Sequence, residues 1–199
     1  MPGERTKYAW RREIGATRAQ LDPAEHAVEA AALAGATAQL TGTDEVVCAY
    51  VPVRGEPGDL RMLDAVRGRG ATVLLPVTGE PGPLSWARYD GADSLRKARY
   101  GLLEPATETL PPEVVASSTT ILVPALAVDR RGVRLGRGAG YYDRTLGAAR
   151  AGVRLIAVVR DNELVDRLPE EPHDRRMGWA LTPSGGLTPL GRDLPVSPE

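Results

Sequence analysis

The sequence predicts an α/β layered domain, three layers with a mostly parallel sheet between helices, and three observations predict it. Five short runs, residues 46–53, 72–77, 119–128, 154–159 and 179–182, are aliphatic and β-branched without alternation, as strands buried on both faces are. Helical patterns lie between these runs, and strands that alternate with helices favour a parallel sheet covered on both sides. The chain has 199 residues, which suits one domain, because independently folding units run to about 100–200 residues.

The elements follow in order. Residues 7–20 form a polar, arginine-rich helix. Asp22-Pro23-Ala24-Glu25 then supplies an N-cap, a proline at the first helical position and a glutamate at the third, so a second helix runs to about Leu40. Asp59 caps a third, in which Leu60, Leu63 and Val66 recur every three residues before Gly68 and Gly70 stop it. Leu84-Ser85-Trp86-Ala87-Arg88-Tyr89 reads as an edge strand, and residues 100–105 as an extended loop before a proline-rich connection. Residues 184–199 are rich in Gly and Pro and are expected to be a poorly ordered tail, which leaves 1–183 as the single domain.

Composition excludes several classes. The 22 Gly and 17 Pro together stay below the roughly 25–30% of low-complexity chains. With no Phe and 5% aromatics, Leu, Val and Ala must fill the core. A formal net charge of -1 gives no global field toward nucleic acid or an anionic membrane. The only lysines are Lys7 and Lys97; arginine supplies the remaining positive charge as planar forks suited to carboxylates and phosphates. The single Cys48 sits in an apolar run and reads as a buried small hydrophobe rather than a nucleophile. The N-terminus lacks the apolar stretch of a signal peptide, and no run reaches the ~20 residues that span a bilayer, so a cytoplasmic protein is expected.

The densest chemical signal is Gly132-Val133-Arg134-Leu135-Gly136-Arg137-Gly138-Ala139-Gly140-Tyr141-Tyr142-Asp143-Arg144, between an expected strand and a helical stretch over residues 141–151. Gly136, Gly138 and Gly140 let the backbone turn and approach a ligand, and a helix start offers free N–H groups, so a polyphosphate fits there. Arg134 and Arg137 strengthen this, since each charge-assisted hydrogen bond to phosphate is worth roughly 1.5–3 kcal/mol. Asp143 would repel the phosphates unless a cation lay between them, and Mg²⁺ normally takes one or two carboxylates plus phosphate oxygens. A dinucleotide fingerprint fails on spacing, since its third glycine falls on Tyr141, and a Walker loop fails because neither lysine follows a glycine. The bland alternative is a strand-to-helix turn that merely packs tightly.

Val123-Pro124-Ala125-Leu126-Ala127-Val128-Asp129 followed by the loop ending in Gly140-Tyr141-Tyr142-Asp143 resembles the signature of the 5-formyltetrahydrofolate cyclo-ligase (methenyltetrahydrofolate synthetase) family. Lys7 and Arg11 are similar to its N-terminal K-x-x-x-R, Gly55-Glu56 to its G-E, residues 100–105 to its aromatic-then-E-P loop, and Leu168-Pro169-Glu170-Glu171-Pro172-His173-Asp174 to its L-P-x-E-x-H-D. The resemblance implies a fold similar to the NagB/RpiA/CoA-transferase-like one. It also implies ATP- and Mg²⁺-dependent closure of 5-formyltetrahydrofolate to 5,10-methenyltetrahydrofolate, with phosphorylation of the formyl oxygen followed by attack of N10. By the same resemblance, Lys7, Arg11, Arg134, Gly136, Arg137, Gly138, Ala139, Gly140, Tyr141 and Tyr142 hold ATP, with Arg134, Arg137 and Tyr142 catalytic. Asp143 and Asp174 hold Mg²⁺, while Val51, Glu56 and Tyr100 face the folate. The partners are then small molecules, without nucleic acid or membrane, and a monomer is expected.

Each role has a plainer rival. Lys7 and Arg11, four apart on a helix, also read as a solvated face; Tyr100, Tyr141 and Tyr142 as packing; Asp174 as the cap of a turn; and His26 as structural. The chain departs from the family's pattern at Ala125 and Val128, and more strongly over residues 159–163, whose ligand contacts are left open. A catalytically silent folate- or nucleotide-binding module is the alternative function.

Overall fold

Each of the three long helices begins at a side-chain cap. In the computed structural model, which describes residues 5–191 apart from Arg54, Glu80, His173 and the side chain of Tyr100, Thr6 accepts the Ala9 N–H to open α1 (Lys7–Ala19). Asp22 accepts that of Ala24 to open α2 (Pro23–Thr37), with Pro23 at the first position where no amide is needed. Between α2 and α3 lies β1 (Val46–Cys48), and Asp59 accepts from Arg61 N to open α3 (Leu60–Gly68).

The chain continues through β2 (Thr72–Val77), β3 (Ser85–Arg88), β4 (Leu95–Lys97), β5 (Leu103–Pro105) and β6 (Thr109–Leu110). Then follow β7 (Thr120–Pro124), β8 (Ala127–Asp129), β9 (Arg134–Leu135), α4 (Tyr141–Leu146), β10 (Arg154–Val158), β11 (Leu164–Val165), β12 (Trp179–Thr182) and β13 (Gly186–Pro189). The main sheet runs β13-β12-β10-β7-β1-β2-β3-β6. Its five middle strands are parallel, and antiparallel strands close both edges.

Strand alternation divides the core. Leu122, Ile156 and Val158 pack with Leu33 of α2 and Met62, Leu63 and Val66 of α3. Ile121, Val123, Leu155 and Ala157 face the opposite way, against Trp86, Leu146 of α4 and Val115 of a 3-10 turn. A small sheet, β11-β8-β9, carries α1 through Ile14 and Trp10. The result is the expected α/β layering around a mostly parallel sheet, with one helical layer much thinner than the other. Among the described residues no helix is long and apolar enough to cross a membrane.

Six expectations need correction. β3 is not an edge strand, since β6 pairs on its outer side, and residues 103–105 of the expected loop pair with β4 as β5. The apolar run over residues 119–128 is not one strand: Pro124, which has no N–H, ends β7, and Leu126 N–H turns to Leu135 O to start pairing in the second sheet. The run over 46–53 leaves the sheet after Cys48, although Ala49 N–H still bonds Leu74 O. The helix expected over 141–151 stops at Leu146 before Gly147, a poor helix former. Residues 186–189, read as tail, form the edge strand β13 on β12; residues 192–199 of that expected tail lie outside the described residues.

The connections from β1 and β7 diverge, β1 leading to β2 on one side and β7 to β10 and β12 on the other. The crevice beyond their carboxyl ends is the position at which doubly wound sheets bind ligands.

Candidate functional site

A cavity of about 450 Å³ opens at that switch point, lined by the chain that follows β1, β2 and β7 and roofed by residues 136–143. This volume is within the usual range for small-molecule sites, about 300–1,000 Å³.

The roof is held from below by Asp129, whose fully buried carboxylate accepts the backbone N–H groups of Arg131, Val133 and Leu168 as well as the Arg131 guanidinium. This closes the tight turn between β8 and β9 and so fixes where Arg134 emerges. Arg134, with its side chain 5% exposed, donates to Asp143 Oδ1 at 2.7 Å and to Pro124 O at 3.3 Å, and its Nε has no partner. A side chain at position 136 would begin 2.8 Å from Arg134 Nη1, so glycine there lets the chain fold over the guanidinium. Gly138 has φ +103°, a left-handed conformation that other residues adopt only with strain. Arg11 reaches from α1 to donate to Gly136 O at 2.9 Å, and Arg144 stacks over Tyr141 at 5.4 Å while donating to Ala139 O.

The opposite wall carries Tyr50, Val51, Val53 and Glu56. Glu56 is 8% exposed, and both its oxygens are engaged, one by Arg137 at 3.1 Å and the other by Val53 N–H at 3.0 Å. His26 contacts its backbone carbonyl at 3.0 Å, the structural role expected for that histidine. Two phenols on the cavity wall, Tyr50 and Tyr142, have buried hydroxyls without partners. Burial, reinforced by the nearby Glu56 carboxylate, pushes both well above the ordinary tyrosine range, so both stay protonated as donors. Together with Arg134 Nε, three buried donor groups await acceptors in one cavity, a pattern that a folded protein rarely leaves unless a ligand or water supplies the partner.

Of the residues singled out by sequence, Val51, Glu56, Arg134, Gly136, Arg137, Gly138, Ala139, Gly140, Tyr141, Tyr142 and Asp143 line this cavity. Arg11 touches its roof. Tyr100 occupies a 3-10 turn just before Leu102 and Leu103 of the cavity wall, but its side chain, like His173, lies outside the described residues. Lys7 and Asp174 lie apart from the lining and bond each other at 2.8 Å, with Glu171 as a second acceptor for Lys7. Burial lowers the Lys7 pKa, but these two carboxylates outweigh it and leave the ammonium above its ordinary value.

Among the described residues no group of three His, Cys, Asp or Glu side chains converges on one metal position. Cys48 is fully buried and its thiol is pushed up to about 12 by burial, as suits an inert core residue. Residues 159–163, whose contacts the sequence left open, carry a buried brace made by Arg160 and Glu163. Glu163 receives a bidentate bond from Arg18, and Arg160 bonds Glu29 and Gly55 O, which anchors the loop leading to Glu56.

Two polar wall residues were given no role by the sequence reading. Tyr50 was absorbed into an apolar strand-like run. Glu104, 6% exposed, accepts Thr78 N–H and lines the cavity; it is the glutamate of the aromatic-then-E-P loop, which the resemblance marked without giving that side chain a role.

An α/β domain whose switch point opens into a cavity with an arginine- and glycine-lined roof and buried unpaired donors belongs to the small-molecule-binding class. Comparison with known proteins narrows the class. The model of the 5-formyltetrahydrofolate cyclo-ligase family matches residues 4–183. A 5-formyltetrahydrofolate cyclo-ligase from Mycolicibacterium smegmatis is 47% identical over 191 residues, 94% of this chain and 98% of that one. One from Escherichia coli K12 is 28% identical over 141 residues, covering 69% and 78%. The solved 5,10-methenyltetrahydrofolate synthetase of Aquifex aeolicus superposes with a TM-score of 0.72 at 25% identity, covering 97% of this chain and 96% of that one. The chain belongs to the 5-formyltetrahydrofolate cyclo-ligase family, a family of ligases.

Proposed function

We propose that this enzyme closes 5-formyltetrahydrofolate to 5,10-methenyltetrahydrofolate at the expense of ATP, releasing ADP and phosphate. The observation that carries the reading is the two-sided lining of a single cavity. One side is a cationic glycine roof suited to phosphates, and the other is an apolar wall with buried hydrogen-bonding groups suited to a flat heterocycle.

The formyl oxygen is a poor leaving group, so it is first phosphorylated by the γ-phosphoryl group of ATP. N10 then attacks the formyl carbon and loses its proton to solvent, and the C–O bond breaks with its electron pair leaving on phosphate. The protein's part is to position the reactants and to neutralise charge. Arg134 is pinned by Asp143 and Pro124 O, so its unpaired Nε is already oriented toward an acceptor and loses little freedom on binding. Arg137, with a side chain 55% exposed, is the movable cation: phosphate would compete with Glu56 for it, and release of Glu56 would free a carboxylate for the folate. Arg11 holds the roof through Gly136 O and presents its remaining nitrogens beside Gly138. Lys7, on the same helix one turn away, supports the phosphates from the Asp174 side. Tyr142 donates its proton-bearing hydroxyl, Tyr141 packs the roof, Gly140 and Ala139 contribute backbone, and Val51 and Tyr100 flank the pterin.

The donor set fits Mg²⁺, which needs one or two carboxylates when phosphate oxygens and waters complete its six ligands. Asp143, part-exposed at the end of the roof with Arg134 on one oxygen, would be the first carboxylate. Asp174 would join by exchanging Lys7 for the ion. When bound, the ion would neutralise phosphate charge and help to position the phosphates. We read it as a cytoplasmic monomer acting on small molecules.

The test is a purified-protein assay in which 5-formyltetrahydrofolate, ATP and Mg²⁺ are mixed and the near-ultraviolet absorbance of the methenyl product is followed. ATP-dependent appearance of product supports the reading. Folate or nucleotide binding without product identifies a silent binding module instead.

A further inference from the structure

We propose that Glu104 is a further substrate-binding residue, a carboxylate that accepts N–H hydrogen bonds from the aminopyrimidine edge of the pterin. The proposal rests on the folate reading above and deepens it.

Glu104 lies on β5, whose pairing with β4 sets Arg96 opposite it. Its side chain is buried, and Oε1 accepts Thr78 N–H at 2.8 Å. That bond ties β5 to the end of β2. A carboxylate has about four acceptor positions, and this is the only bond that Glu104 makes among the described residues. Among the described residues no cation pairs with it, Arg96 included. The other two carboxylates on the cavity wall are committed, Glu56 to Arg137 and Val53 N–H, Asp143 to Arg134. Among the described residues Glu104 is therefore the cavity-wall carboxylate that no cation offsets.

A buried carboxylate without a cation is costly, and donors from a ligand relieve that cost. The chemistry of its surroundings selects the donors. Pro76, Leu84, Leu102 and Leu103 line the same cavity and offer apolar surface to a ring face. A polyphosphate would be repelled by the carboxylate, so the nucleotide is directed to the arginine-rich roof. A reduced pterin carries an exocyclic amino group and ring N–H groups along one edge, a row of donors that matches a carboxylate.

The experiment compares wild type with Glu104→Gln in steady-state kinetics, in calorimetric titration of 5-formyltetrahydrofolate without ATP, and in thermal unfolding. Glutamine keeps a carbonyl oxygen for Thr78 N–H, so the link to β2 survives, but its amide turns a donor toward the donors of the pterin. The expected result is a rise of about tenfold in both KM and Kd for 5-formyltetrahydrofolate, equivalent to about 1.4 kcal/mol. KM for ATP, kcat and the unfolding midpoint stay near wild type. Glu104→Asp should recover part of the lost affinity. Unchanged folate affinity, or equal losses for folate and ATP, overturns the proposal. A collapse of kcat with KM and Kd intact also overturns it, since that outcome marks a proton acceptor in ring closure. Wild type that binds 5-formyltetrahydrofolate through Glu104 yet forms no product refutes the ligase reading alone; wild type that neither binds nor reacts refutes both.

Discussion

Arg134 serves the fold and the ligand through different nitrogens. Its Nη atoms are held by Asp143 and Pro124 O, and its buried Nε is left for an acceptor. Asp143→Asn would weaken that hold as well as the Mg²⁺ site, so turnover should fall by about 100-fold or more and respond less to added Mg²⁺; a Mg²⁺ titration of the initial rate checks this. Tyr50→Phe tests a different prediction. Removing a buried hydroxyl that has no partner should leave the ligand-free protein as stable or more stable, by up to about 1 kcal/mol, because an unsatisfied group is lost. The same change should weaken 5-formyltetrahydrofolate, which urea unfolding and calorimetric titration would measure separately. At this scale the sequence was informative where residue type and spacing carry chemistry. The roof from Arg134 to Asp143 could be read because glycine, arginine and aspartate in that order have few other uses. The roles of Tyr50 and Glu104 could not, because one looks like strand packing and the other is a motif carboxylate whose partners are unknown until β1, β2 and β5 are brought together. The Lys7–Asp174 pair was equally hidden, since the partners are 167 residues apart.

Helix starts were the most legible elements, because a cap is a local interaction between an Asp side chain and an amide two residues on. Asp22→Ala should therefore cost about 1 kcal/mol in chemical unfolding while leaving kinetic constants alone. Asp59 adds a pH signature. Bonds from Arg61 hold its carboxyl below the ordinary 3.8. A carboxyl depressed in the folded state contributes stability above pH 3.8, and that contribution is lost as pH falls through the lower folded value. Asp59→Asn, which keeps a capping side chain, should thus be less stable than wild type at neutral pH, and the gap should close in strong acid; unfolding curves at both pH values decide it. Strand ends were less legible, because hydrophobicity continues past them. Residues 119–128 are apolar throughout, yet the chain changes sheets at Ala125 and Leu126, and only the pairing of Leu126 N–H with Leu135 O reveals it. Residues 186–189 look like tail because Gly and Pro dominate there, and they become strand because β12 offers an open edge.

At the scale of the molecule, the site exists because β1 and β7 send the chain in opposite directions and leave a crevice between their ends. Three remote contacts and one local carboxylate keep that crevice in shape. Arg18 joins α1 to Glu163, Arg160 joins Glu29 to the Gly55 loop, and Asp129 gathers the turn below the roof. Alternating strands and helices foretold the layering, but no local pattern could foretell this brace, whose members lie more than 100 residues apart. The central claim is that the roof receives the triphosphate while the opposite wall receives the folate. It is tested most directly by following methenyl absorbance for wild type and Arg134→Ala with 5-formyltetrahydrofolate, Mg²⁺ and varied ATP. Wild type should form product only with ATP, and the variant should lose about 100-fold or more in kcat/KM for ATP while still binding 5-formyltetrahydrofolate. Product formed by wild type without ATP, or an Arg134→Ala enzyme with unchanged dependence on ATP, would contradict the account.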